Sequence, residues 1–164
     1  MLRINNIPCS QKTVRCRYNP SENKNGYICC KNNLVELMDF IVPLFNRYNV
    51  TYFIDYGTLL GSVRNYSFIP HDTDVDISII NNNNDYVKFF KSIQQDINNK
   101  NFVFIESEPN LFRLFFSKNN SLHIDFWIRN KMIINDNILY YDNHSIKQSG
   151  IFEKDLFPLK KKYI

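Results

Sequence analysis

Ile54-Asp55-Tyr56-Gly57-Thr58-Leu59-Leu60-Gly61-Ser62-Val63-Arg64, followed shortly by Ile69-Pro70-His71-Asp72-Thr73-Asp74-Val75-Asp76-Ile77, is the stretch on which the reading of this chain turns. Tyr52 to Tyr56 is short, aromatic and β-branched, a strand pattern that Gly57 ends. Thr58 is placed to cap a short helix running to Arg64, because a hydroxyl accepts the free backbone N–H groups of a first turn. Asp74 to Ile80 reads as the next strand. Alternate side chains of a strand share one face, so Asp74 and Asp76 stand together while Val75 and Ile77 enter the core. Two carboxylates that close repel each other, and a divalent cation is the usual relief.

Upstream, Leu34, Leu37, Met38, Ile41, Leu44, Phe45 and Tyr48 recur at three- and four-residue steps, which predicts a helix over 33–48 with a kink at Pro43. Downstream, the spacing predicts a helix over 85–98 with Tyr86, Phe89, Phe90, Ile93 and Ile97 inward, then a strand over 102–106. The period then falls to two. Residues 111–117 and 122–128 flank Lys118-Asn119-Asn120-Ser121 as a hairpin, and 132–134 with 138–141 form a second across Asn135-Asp136-Asn137. Helices before and between strands, then antiparallel hairpins, indicate an α/β (α+β) fold: a mixed sheet with flanking helices.

In the first hairpin, Asp125 is the lone acid of the largely apolar His123-Ile124-Asp125-Phe126-Trp127. Burying it unpaired would cost several kcal/mol, so a metal or a cationic partner is expected. If its strand lies beside that of Asp74, three acids converge, and an oxygen-only set suits magnesium or manganese better than zinc. Such a site supports phosphoryl transfer. Gly57 lets backbone approach a phosphate, the helix N-terminus and the Thr58 hydroxyl add donors, and Arg64 offers a bidentate phosphate contact. Asp72 either caps the turn after Pro70 or, like Asp125, accepts a proton from the acceptor; His71 reads as a turn residue. Each feature alone also fits a solvated turn or surface helix. Their order is what singles them out: strand, Gly-Thr, helix, Asp-x-Asp on a strand, and a later isolated strand Asp form the nucleotidyltransferase constellation.

With 164 residues, 44% apolar, 14 Phe and 10 Tyr, the chain can fill the core of one domain. It has no apolar run of about 18 residues and no unbroken apolar stretch of the kind a secretory signal needs, so it reads as soluble with no membrane span. A net charge of +4, with one dense basic cluster at Lys160, Lys161 and Lys162, argues against a nucleic-acid-binding face. The four cysteines, Cys9, Cys16, Cys29 and Cys30, all fall in the first 30 residues. Two disulfides, a four-thiolate zinc site or free thiols are the options, and the missing secretory signal favours zinc. This divides the chain into a cysteine-rich segment, 1–32, and a catalytic domain, 33–164.

Asp55-Tyr56-Gly57-Thr58-Leu59-Leu60-Gly61 through Ile69-Pro70-His71-Asp72-Thr73-Asp74-Val75-Asp76 resembles the signature of the LicD and fukutin-related transferases. The resemblance runs from about Leu34 to Pro158 and takes in His123 to Trp127 and Asp155-Leu156-Phe157-Pro158-Leu159. It implies a nucleotidyltransferase-like fold in which Asp74, Asp76 and Asp125 bind the catalytic ions. It further implies transfer of ribitol phosphate, glycerol phosphate or phosphocholine from a CDP-linked donor to a glycan, with release of CMP, in a Golgi or cytoplasmic setting. The cysteine spacing is similar to the zinc-binding cysteines that precede the catalytic domain of fukutin-related proteins. His71 stands where the family commonly has Trp, and Thr73 where many members have Asp. Family members usually continue past the position of Ile164, which leaves an inactive nucleotide- or metal-binding module as a second expectation; a true nucleotidyltransferase, moving the nucleotide part of the donor, is a third.

Overall fold

The computed structural model describes residues 10–13, 28–83, 85–142 and 150–156. A long helix, α1 (Ile28–Arg47), opens the fold and is followed by β1 (Tyr52–Ile54), α2 (Tyr56–Asn65) and β2 (Asp74–Ile80). Then come α3 (Asp85–Ser92), α4 (Gln94–Asn99), β3 (Val103–Glu108), β4 (Leu111–Phe115), β5 (His123–Ile134), β6 (Asn137–Tyr141), β7 (Ile151–Phe152) and α5 (Glu153–Leu156).

The sheet is mixed, with strand order β1-β2-β5-β4-β3. β2 and β5 run parallel at its centre, and their antiparallel neighbours lie on either side. β5 serves two partners in succession: residues 123–129 lie between β2 and β4, and residues 130–134 pair with β6, which in turn pairs with β7. The sequence pattern suggests two separate strands here. The turn-free run through Arg129, Asn130 and Lys131 lets one strand span both hairpins.

One face of the sheet is the core. Val75, Ile77, Ile79, Ile124, Phe126, Ile128 and Leu114 are buried there against Leu34, Leu37, Ile41 and Phe45 of α1, Phe89 and Phe90 of α3, and Ile97 of α4. Phe90 is the hub of the aromatic packing, with ring centroids 4.6 Å from Phe104, 5.0 Å from Phe112 and 5.3 Å from Phe126. Contacts of this kind each add roughly 0.5–1.5 kcal/mol beyond the area they bury.

Several boundaries differ from the sequence expectation. α1 begins at Ile28, so the backbone at Cys29 and Cys30 is helical and the helix crosses the 32/33 boundary. The cysteine side chains lie outside the described residues, and so does the zinc expectation. Pro43 stands inside α1, which continues to Arg47. Tyr48 lies beyond the helix end and is half exposed, with its ring edge against Phe89. The single helix expected over 85–98 is broken at Ile93, whose ψ of 2° leaves the helical range, although Ile93 itself stays buried. Among the described residues, no helix is long and apolar enough to cross a membrane.

Candidate active site

The face of the sheet opposite the core carries the polar residues, and register decides which of them meet. Asp76 lies opposite Asp125, and Asp125 opposite Arg113; Asp74 lies opposite His123, Ser78 opposite Trp127, and Ile80 opposite Arg129. The three acids singled out from the sequence are therefore brought together. One ligand atom each from Asp74, His123 and Asp125 falls within 4.8 Å of the others.

α2 delivers its N-terminus to this cluster. Its cap is Asp55 rather than Thr58: the Asp55 carboxylate accepts from the Tyr56 N–H at 2.9 Å. The helix therefore starts two residues before the expected cap, and β1 ends at Ile54. Thr58 has another task. The Asp55 carbonyl accepts from the Leu59 N–H, the first bond of the helix, and its own N–H donates to the Asp76 carbonyl at 3.1 Å. The buried Thr58 Oγ1 accepts from the Asp76 N–H at 2.8 Å, tying helix to strand at the acid itself. Tyr56, the first helical residue, has a φ of 42°, sparsely populated by residues other than glycine.

Both glycines of α2 are there because something lies close by. A Cβ at Gly61 would sit 2.6 Å from the Ser67 carbonyl oxygen and 3.0 Å from the Ile69 nitrogen, so the helix packs backbone-on-backbone against the loop leading to the acids. A Cβ at Gly57 would lie 3.3 Å from an Asp72 carboxylate oxygen and 3.8 Å from one of Asp76. The missing side chain leaves room beside two carboxylates. Arg64, exposed in the last turn of α2, donates from Nε to Asn65 Oδ1 at 3.3 Å, and its charge, with that of His71, partly offsets the upward shift of Asp72.

The carboxylates differ in how far their charge is compensated. Burial raises the Asp76 pKa to about 6, against a bond from Trp127 Nε1 to Oδ1 at 3.1 Å that lowers it; the charges of Asp74, Asp125 and Asp55 raise it further. Asp72 is raised by burial and then by Asp74. For Asp125, burial alone would raise the value, but hydrogen bonds from His123 and Arg113 hold the carboxyl below its ordinary range. Arg113 Nε donates to Asp125 Oδ1 at 2.7 Å, and His123 Nε2 is 3.3 Å from the same oxygen. Burial lowers the His123 pKa, yet Asp125 more than restores it, and the net shift is upward. Two carboxylates whose pKa values burial raises thus stand beside a third that Arg113 and His123 hydrogen-bond. The carboxylate donors Asp74, Asp76 and Asp125 fit a hard cation such as magnesium or manganese, and the His123 imidazole beside them is engaged with Asp125.

A second cluster lies on the same face. Arg129 is 1% exposed and donates to Asp55 Oδ2 at 2.6 Å, to Asp142 Oδ2 at 2.6 Å and to Ser78 Oγ at 2.9 Å, and its Nη2 also lies 3.2 Å from the Tyr56 hydroxyl. Ser78 Oγ donates to Asp55 Oδ2, and the Tyr56 hydroxyl donates to Asp142. This network fixes the cap residue of α2. Sequence reading missed Asp55, Arg113, His123, Trp127, Arg129 and Asp142 as partners. The one available signal was Arg113, a lone cation in the apolar strand Leu-Phe-Arg-Leu-Phe, the counterpart of the lone acid in the next strand.

Residues 49–163 match the family described as LicD/FKTN/FKRP, nucleotidyltransferase domain. The chain belongs to this family. Ribitol 5-phosphate transferase FKRP of Mus musculus is 27% identical over 136 residues, covering 76% of this chain and 28% of that protein. Lipopolysaccharide cholinephosphotransferase LicD of Haemophilus influenzae is 37% identical over 43 residues, covering 26% of this chain and 16% of that protein. The chain thus spans less than a third of the length of these curated LicD-family relatives. Among solved structures, a STING-associated CdnE c-di-GMP synthase from Capnocytophaga granulosa aligns over 79% of this chain and 43% of that one, with a TM-score of 0.42 and 18% identity.

Proposed function

We propose that this chain carries the catalytic domain of a metal-dependent transferase that moves a phospho-alcohol from a CDP-linked donor to a glycan acceptor and releases CMP. The observation that carries the reading is the row of Asp76 against Asp125 on adjacent parallel strands, with Asp74 and His123 alongside and the gap at Gly57 facing Asp72 and Asp76. The names of the LicD-family relatives, a ribitol 5-phosphate transferase and a cholinephosphotransferase, support the phospho-alcohol class.

Asp74, Asp76 and Asp125 are the carboxylates proposed to hold magnesium or manganese. An ion held by these residues would supply charge neutralisation at the donor's phosphates and orientation of the attacking hydroxyl opposite the CMP leaving group. Gly57 admits the phosphates to within backbone reach of the α2 N-terminus. The Thr58 bond to the Asp76 backbone and the Trp127 bond to its carboxylate hold that acid in place. Asp72, half-buried and with a raised pKa, is placed to take the acceptor's proton. Cys9, Cys16, Cys29 and Cys30 are proposed to hold a structural zinc, which mass spectrometry of the native protein would count; two disulfides and no zinc would sink that part.

The test is CMP release from CDP-ribitol, CDP-glycerol and CDP-choline, with manganese or magnesium and with chelator. Release from one donor, abolished by chelator and by Asp74→Ala or Asp76→Ala, is the expected result. Donor binding without release from any of the three would overturn the transferase reading in favour of a binding module.

A further inference from the structure

Two arginines share the polar face of the sheet and are engaged very differently. Arg129 is buried, and its donors are distributed over two carboxylates, a serine and a tyrosine. Arg113 meets a single carboxylate: Nε lies 2.7 Å from Asp125 Oδ1, while Nη2 reaches Oδ2 only at 3.4 Å. Its side chain is 33% exposed, and Nη1 has no partner among the described residues. A guanidinium has five N–H donors in a planar fork that matches phosphate oxygens.

Neutralising Asp125 does not exhaust this arginine. His123 Nε2 stands 3.3 Å from the oxygen Arg113 holds, so this buried carboxylate has a second nitrogen partner besides the guanidinium. By register Arg113, Asp125 and Asp76 occupy one row across three adjacent strands, about 4.8 Å apart from strand to strand. A cation anchored at one atom, with donors to spare and partly open to solvent, completes a row whose other members are acids suited to a metal. An anion that bridges to that metal would meet it.

We propose that Arg113 is a phosphate-binding residue of this site, anchored through Nε to Asp125 and gripping the diphosphate of the nucleotide-linked donor with its remaining N–H groups. The nature of the ligand rests on the function proposed above; the assignment of Arg113 as its anion contact does not.

The test is calorimetric titration of inorganic pyrophosphate into the manganese-loaded protein, with wild type, Arg113→Met, Arg113→Lys and Arg64→Met compared. Arg113→Met is expected to weaken binding by roughly 10- to 100-fold, the range for a charge-assisted contact. Arg113→Lys should restore part of the loss, because a point charge lacks the fork, and Arg64→Met should lose less than Arg113→Met, because Arg64 reaches the site's Asp72 through charge alone. Pyrophosphate binding within threefold of wild type in Arg113→Met, or no binding by the wild type, overturns the proposal. If Arg113→Met fails to fold because Asp125 is stranded, Arg113→Lys decides: affinity equal to wild type overturns it, and a loss of several-fold supports it. Arg113-dependent pyrophosphate binding in a protein that releases no CMP would sink the catalytic reading alone.

Discussion

At Arg129 the polar face of the sheet holds a guanidinium between Asp55 and Asp142, closed by Ser78 and Tyr56 and shut off from water. Four residues earlier along β5, Asp125 has Arg113 and His123 beside it, while burial, with the charge of neighbouring carboxylates, keeps the pKa values of Asp76 and Asp72 raised. Both clusters are built from carboxylates and an arginine on one strand face. In the first, the donors of a buried cation are matched by neighbouring acceptors; in the second, acids outnumber the cations that reach them. Saturation makes a rigid part, and shortage makes a place for a ligand.

The largest expected effect follows from opening the saturated cluster. Arg129→Ala strands Asp55 and Asp142 in a buried setting and should cost about 3–5 kcal/mol, read as a fall in the urea midpoint; a loss under about 1 kcal/mol would erase the distinction between the two clusters. The acidic cluster should respond in the opposite sense. Because the folded pKa of Asp76 lies near 6, above its ordinary value of 3.8, its charged form opposes folding; that penalty is absent below about pH 4 and fully developed above about pH 6. In chelator at about pH 7.5, Asp76→Asn should therefore be more stable than wild type, by at most about 3 kcal/mol, with the gap closing as pH falls. Manganese should reverse the ranking by stabilising the wild type alone.

The two glycines repeat the contrast on a smaller scale. Gly61→Ala drives a methyl into the Ser67 carbonyl and should cost roughly 1–3 kcal/mol. Gly57→Ala should leave thermal stability within about 1 kcal/mol while weakening pyrophosphate binding to the manganese form, because its methyl occupies the gap beside Asp72 and Asp76. Equal stability losses for both would mean that Gly57 serves packing. Tyr56→Phe removes the 3.2 Å bonds to Asp142 and from Arg129 and should cost about 0.5–1.5 kcal/mol in thermal unfolding.

Periodicity alone makes much of the core legible: Leu34, Leu37, Ile41, Phe45, Phe89, Phe90, Ile93 and Ile97 all fall on inward-facing positions of the sequence pattern, and all are buried. The pairing of the Asp76 and Asp125 strands is readable only as a condition, since two alternating patterns say which face each residue takes but not which strands are neighbours. Thr58 reads as a cap because Ser, Thr and Asp all cap helices, and a chain of letters does not reveal that its hydroxyl meets the Asp76 N–H instead. Arg129 escapes notice for a similar reason. A cation near the end of an apolar run looks like a surface residue until Asp55 and Asp142, from distant parts of the chain, close around it.

β5 threads both clusters, and a strand's side chains alternate strictly. A slip of one residue against β2 would turn Asp125 and Arg129 into the apolar layer and expose Phe126 and Ile128 at the same time. A one-residue slip therefore cannot spare the core while misplacing the acids, and burial of Phe126 and Ile128 commits Asp125 and Arg129 to the face that Asp76 shares.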